Sequence, residues 1–143
     1  ESRLAMARRF DADETINVHK TDLAQALTGR RFNVVVETVG SRESIALAGS
    51  LAENGGRVLL FGIPTGHKAE IDVMDALWRE ILYIPTGNAP QVWPRVAALV
   101  NSGLVDLEPL ANCRFPFEQL LEAIIHAQEK RDECIKVVVK SDA

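Results

Sequence analysis

No stretch of this 143-residue sequence approaches the ~20 consecutive apolar residues that a membrane-spanning helix needs, and no cleavable leader pattern is visible, so a membrane partner is not expected. Basic residues are not in excess: 16 Lys and Arg face 20 Asp and Glu, for a net charge of −4, which argues against a nucleic-acid partner. Cysteine is scarce. Cys113 and Cys134 lie far apart without metal-type spacing, and with no other cue two such residues are expected to be reduced thiols in a cytoplasmic protein. The histidines His19, His67 and His126 do not group with them in sequence, so no metal ligand is expected in the chain. Also missing are a G-x-G-x-x-G turn, a G-x-x-x-x-G-K-[ST] loop and an H-E-x-x-H pair. Asp106, Glu108, Glu118 and Glu122 do not pair as general acid and base, and are read as solvent-facing.

What is present is a pair of short apolar runs that each end in a glycine turn. Phe32 to Gly40 reads FNVVVETVG, and Gly55 to Pro64 reads GGRVLLFGIP. Near-continuous runs of this length suit strands buried on both faces of a parallel sheet. Between them, Ile45, Ala48, Leu51 and Ala52 form one helical stripe, so the order is strand, helix, parallel strand. Ligands of such sheets sit beyond the carboxyl ends of the strands, which places function at 37–40 and 61–64.

Around this unit the pattern predicts a helix over 1–10, a short strand at 14–18, and a helix capped by Thr21 and closed by Gly29. Strand 33–37, helix 41–53 with Ser41 as N-cap, and strand 56–61 follow. A short helix or turn at 72–79 leads to a strand at 81–84. Pro90 opens a helix with the stripe Val92, Val96, Leu99 and Val100, closed by Gly103. Pro116 opens another, carrying Phe117, Leu120, Leu121, Ile124 and Ile125, and the last strand is 135–139. Trp78 and Trp93 are expected to pack. Regular strand–helix alternation stops near Gly87, which sets the expected division: 1–87 as one part, 88–143 as another.

Taken in order, several segments resemble one family. They are Arg3–Asp13 (RLAMARRFDAD), Val34–Gly40, Gly55–Gly62, Trp93–Pro94, Ser102–Leu110 (SGLVDLEPL), Arg114–Glu118 (RFPFE) and Ile135–Val139. Together they are similar to the C-terminal part of a medium-chain, zinc-type alcohol, polyol or threonine dehydrogenase, over essentially all 143 residues. The resemblance implies an α/β fold: strands three to six of an incomplete Rossmann-like parallel sheet over 1–87, then a helix–strand return segment over 88–143 that belongs to the catalytic domain. It also implies NAD or NADP as cofactor and a small-molecule alcohol as substrate. Zinc would be bound by the parent protein only, through ligands that are not in this chain.

Residue by residue, Arg3 matches the basic residue that assists at the adenosine ribose. Thr38, Val39 and Gly40 would border the adenosine side, and Phe61, Gly62 and Ile63 would lie at the nicotinamide and offer it backbone groups. Lys136 aligns with a residue that reaches the pyrophosphate. Asp11 stands where the family has glycine, and Pro85 to Asn88 replaces a glycine–serine turn. Strand 81–84 would pair across a two-fold axis in a homo-oligomer.

The family's phosphate-binding glycine turn, its first two strands and its zinc ligands would all precede Glu1. In the strand order 3-2-1-4-5-6, strands one and two would separate 14–18 from 33–37 by about 14 Å at ~4.8 Å per strand. The expectation is therefore that the native polypeptide is longer, and that the chain alone is inactive. Two other readings remain open: an α/β module whose role is association, and a zinc-free relative similar to quinone reductases.

Overall fold

The computed structural model describes residues 1–64, 68–87 and 90–141. His67 and Asn88 lie outside the described residues. The chain forms two compact units, Asp22–Gln91 and Glu1–Thr21 together with Val92–Ala143.

The unit from Asp22 to Gln91 is built on a three-stranded parallel sheet in the order β1 (Phe32–Glu37), β2 (Ala52–Leu60), β3 (Leu82–Pro85). Helix α3 (Arg42–Leu51) makes the first crossover and α4 (Val73–Trp78) the second, while α2 (Leu23–Ala26) precedes the sheet. The α3 stripe read from the sequence is the buried one: Ala48 packs with Ala52, Val58 and Ile81, and Val35, Leu60, Ala76 and Tyr83 close around them. Gly49 lets α3 approach β3, since a Cβ there would sit 2.3 Å from the Tyr83 hydroxyl oxygen. Arg79, half-buried, closes the other end of α3. Its guanidinium donates to the carbonyl oxygens of Gly49 (3.3 Å) and Ala52, and it pairs with Asp75 at 2.8 Å. A cation at a helix C-terminus satisfies carbonyls that have no partner within the helix.

Three expectations for this unit change. The cap of α2 is Asp22, whose side chain accepts from the backbone N–H of Ala24 and Gln25, in place of Thr21. Strand β2 begins at Ala52, immediately after α3, and Asn54–Gly55 forms a bulge inside it where a helix stop was expected. The register jumps from Phe32↔Ala52 to Val34↔Arg57, with Gly55 at φ 73°. The strands are also covered on one face only. Val34 and Val36 of β1 remain 48% and 57% exposed because α3 packs on the opposite side, where Val35 and Glu37 point.

The other unit holds α1 (Ser2–Arg9), α5 (Trp93–Asn101), α6 (Leu120–Glu129) and a parallel pair, β4 (Cys113–Pro116) with β5 (Val137–Lys140). Helix α6 packs on both of these strands. Segment 14–18, expected as the third strand of the main sheet, is not a strand. Among the described residues no strand pairs with it; instead Asn17, and Lys20 just beyond the segment, bond the Glu1 carboxylate at 2.9 and 2.7 Å. Asp11 takes φ 61°, a left-handed conformation in which glycine is the usual occupant, and so performs the turn for which the resemblance expects glycine. Strand β4 was not anticipated.

The cysteines are not free. Cys113 and Cys134 form a disulfide, with Cα atoms 5.9 Å apart. Parallel pairing of β4 with β5 sets Cys113 opposite Val137, close to Cys134, an adjacency that a spacing of 21 residues in sequence does not reveal. The two tryptophans expected to pack are open to solvent, Trp78 at 75% and Trp93 at 58%. No helix among the described residues is long and apolar enough to cross a membrane.

Candidate functional site

The carboxyl ends of β1 and β2 lie side by side, and one residue ties them together. Glu37, the last residue of β1, is only 4% exposed. One oxygen of its side chain, Oε1, accepts from the backbone N–H of Val39 (2.7 Å) and Gly40 (2.8 Å) and from the Ser44 hydroxyl (2.8 Å). Its backbone carbonyl accepts from Phe61 N (2.8 Å) and Gly62 N (3.0 Å). Both halves of the residue thus fasten a strand-end turn: the side chain holds 38–40, the backbone holds 61–62.

The N-terminus of α3 supports the same group. Ser41 and Ser44 form a reciprocal capping box, with Ser41 Oγ accepting from Ser44 N at 3.1 Å and Ser44 Oγ accepting from Ser41 N at 3.0 Å. Ser44 is thereby fixed to donate to Glu37, and the carboxylate lies at the positive end of the helix. Burial pushes the Glu37 carboxyl up. The N–H of Gly40, the Ser44 hydroxyl and the N–H groups of Val39 and Gly62 outweigh burial and hold it below the ordinary carboxylate value. It is an anion built into the frame rather than a proton donor.

Glycine is required at two places here because the two turns touch backbone to backbone. A Cβ on Gly40 would sit 2.2 Å from the Ile63 carbonyl oxygen, and Gly40 has φ 79°. A Cβ on Gly62 would sit 2.2 Å from Gly40 N and 2.7 Å from Glu37 Oε2. Around this junction the side chains of Val39, Phe61 and Ile63 face outward, 69%, 63% and 84% exposed.

Of the residues singled out in the sequence, the structure brings together Thr38, Val39, Gly40, Phe61, Gly62 and Ile63. Arg3 and Lys136 belong to the other unit. Arg3 is exposed on α1 and donates to the Arg131 carbonyl at 3.4 Å. Lys136 is exposed just before β5, and its backbone N–H donates to Asn112 Oδ1 at 3.4 Å. Glu37 lies in the 37–40 segment where function is expected, but the sequence assigns it no role of its own. Its signal was a single acidic residue closing an otherwise apolar strand, immediately before a T-V-G turn and a serine cap.

Among the described residues, one group of side chains has the composition of a metal site: Cys113, His126 and Cys134, with ligand atoms all within 4.8 Å of one another. No metal ligand is expected among these residues from their spacing in sequence, since 113, 126 and 134 meet only through the fold. Because the sulfurs are bonded to each other, neither offers a thiolate.

Comparison with known proteins agrees with this architecture. Residues 1–102 match the family model described as zinc-binding dehydrogenase. The L-arabinitol 4-dehydrogenase of Aureobasidium melanogenum is 30% identical over 152 aligned residues, covering 99% of this chain and 40% of that protein. The L-threonine 3-dehydrogenase of Bacillus subtilis (strain 168) is 32% identical over 126, covering 83% of this chain and 36% of that protein. A solved structure from Sinorhizobium meliloti 1021, bound to NADP, superposes with a TM-score of 0.77 at 27% identity, covering 86% of this chain and 38% of that one. The chain thus spans about two fifths of the length of the curated relatives it matches. With a parallel sheet, a glycine-closed junction at its carboxyl edge and a family match over most of its length, the chain belongs to the zinc-binding dehydrogenases.

Proposed function

We propose that the chain is the C-terminal part of an NAD(P)-dependent, zinc-type dehydrogenase that oxidises a secondary alcohol or polyol, and that the 143 residues alone do not turn over. The observation that carries this reading is the Glu37-tied pair of turns at the carboxyl ends of β1 and β2. This is the edge at which open α/β sheets receive ligands.

In this reading Thr38, Val39 and Gly40 border the adenosine half of the dinucleotide, and Phe61, Gly62 and Ile63 border the nicotinamide. The two turns meet backbone to backbone at Gly40 and Gly62, and the outward side chains at 39, 61 and 63 offer the dinucleotide an apolar surface. Two N–H groups of the second turn are already used by the Glu37 carbonyl. What Phe61 and Gly62 have left for a carboxamide NH2 is therefore their carbonyl oxygens, acceptors for a donor. Arg3 would serve the ribose and Lys136 the pyrophosphate. When bound, the nicotinamide supplies the hydride acceptor.

Glu37 keeps its charge and moves no proton, so these turns hold and orient without acid–base chemistry. The cysteine and histidine side chains present do not fit a zinc site while the disulfide stands. Dinucleotide affinity in this fold depends on a pyrophosphate at a helix N-terminus after the first strand, which the reading places in a preceding part of the polypeptide. The half-exposed Val34 and Val36 of β1 are the kind of apolar surface that such a part would cover. Homo-oligomer formation through strand 81–84 belongs to the same proposal. It is supported by β3 being an edge of the three-stranded sheet. So does residence in the cytoplasm, where the cysteine pair would be reduced.

The intact mass of the polypeptide from its natural source tests the reading. A mass more than twice 15.7 kDa, in a fraction that reduces NAD or NADP with a polyol, is expected. A native polypeptide of 15.7 kDa would overturn it.

A further inference from the structure

The group formed by Cys113, Cys134 and His126 lies in the unit containing β4 and β5 and plays no part in the dinucleotide reading. Three different elements deliver it. Cys113 opens β4, His126 lies on the last turns of α6, and Cys134 follows in the connection to β5. Hydrogen bonds hold the backbone around it in addition to the sulfurs. Cys134 N donates to the Lys130 carbonyl at 2.8 Å, and Lys130 N donates to the His126 carbonyl at 2.9 Å. Asn112, next to Cys113, donates to the Glu133 carbonyl and accepts from Ile135 N, both at 2.9 Å. The Phe115 ring stands 5.3 Å from the His126 ring, tilted by 60°, and limits how the imidazole turns. Cys134 is 5% exposed, while Cys113 and His126 are half-buried, so the group is shielded yet reachable.

We propose that, when the disulfide is reduced, Cys113, Cys134 and His126 bind one thiophilic divalent metal ion, zinc by class, with the fourth position left to water. In tetrahedral zinc the ligand atoms lie about 3.3–3.8 Å apart, given bonds of about 2.0–2.1 Å to nitrogen and 2.3 Å to sulfur. Ligand atoms already within 4.8 Å are close enough for side-chain rotation to bring them to those separations. The chemistry balances in two steps. A dithiol reductant transfers two electrons and two protons, so the S–S bond becomes two thiols and the reductant becomes a cyclic disulfide. The metal ion then displaces two protons from the thiols and takes a lone pair from neutral His126, and the two thiolates cancel its charge. The disulfide and the metal site are alternative states of the same three side chains.

The test is titration of the whole chain with Co2+ after reduction and removal of the reductant, followed by displacement with Zn2+. We expect one equivalent bound, a sulfur-to-cobalt charge-transfer band, the visible spectrum of a four-coordinate ion, and release of two protons. The oxidised chain, which keeps its fold, should show none of these. His126→Ala should weaken binding at least tenfold, and Cys113→Ser should cut the charge-transfer band by about half or more. Should a variant fail to fold, alkylation of the wild-type thiols with and without Zn2+ decides the matter, since bound metal must protect both cysteines. The inference is overturned if the reduced chain binds no more cobalt than the oxidised chain, if the bound ion shows no thiolate band, if His126→Ala binds as tightly as wild type, or if Zn2+ leaves the thiols unprotected.

Discussion

The two units of this chain are held together by different means. In the sheet unit, backbone ladders join three parallel strands, apolar side chains fill one face, and a buried carboxylate fastens the two strand-end turns. In the other unit the strands are four residues long, buried side chains are few among the described residues, and side-chain links carry more of the structure: the Cys113–Cys134 bond and the Asn112 bridges to 133–136. A unit with a core keeps its shape by burial and so can hold a fixed anion at a ligand edge. A unit with little core relies on cross-links, and a cross-link can be changed by chemistry.

The sharpest way to break this contrast is at the glycine junction. Gly62→Ala places a methyl 2.2 Å from Gly40 N, with backbone on the far side that cannot yield. We expect a loss of about 3 kcal/mol or more in the sheet unit, seen in urea unfolding monitored at β1 and β2, with the disulfide unit unaffected. Next is reduction of the disulfide in metal-free buffer. Opening a link across 21 residues should remove about 3 kcal/mol or slightly more from the β4–β5 unit and leave the amides of 32–60 protected against hydrogen exchange. Equal loss of protection in both units would show that they do not differ as described.

The carboxylate gives a pH signature confined to the sheet unit. Because Glu37 titrates below its ordinary value in the folded state, its stabilisation is fully present above the ordinary carboxylate range. It is lost as pH falls through the depressed folded value. Glu37→Gln should flatten that acid limb, in unfolding curves recorded from neutral pH downward, without altering the midpoint of the disulfide unit. Smallest of all is Arg42→Ala. The Arg42–Glu70 pair is about 70% exposed on both sides and should contribute at most about 0.5 kcal/mol.

The same contrast explains what could be read from the sequence. Phe32–Gly40 and Gly55–Gly62 announce their strands because a local apolar run, a glycine turn and the Ile45–Ala48 stripe all point to the same α/β unit. Residues 14–18 carry strand-forming side chains as well, yet a strand exists only with a neighbour, and Asn17 bonds Glu1 instead. The short β4 ends in a proline and gains its identity from β5, more than twenty residues later, so nothing local marks it. The cysteine pair is hidden for the same reason. Glu37 was visible but ambiguous: an acid at a strand end reads equally as a solvated residue, and only the converging N–H groups of Val39 and Gly40 and the Ser44 hydroxyl define its role.

In the proposed function the Glu37-tied turns form the dinucleotide-facing wall. Titration of the isotope-labelled chain with NADH and NADPH, followed by backbone amide NMR, tests it most directly. The expected shifts in this sheet unit are confined to 38–40 and 61–63, with a dissociation constant weaker than low micromolar. Saturable shifts elsewhere in the sheet with none at these turns, or low-micromolar binding by the 143 residues alone, would contradict it.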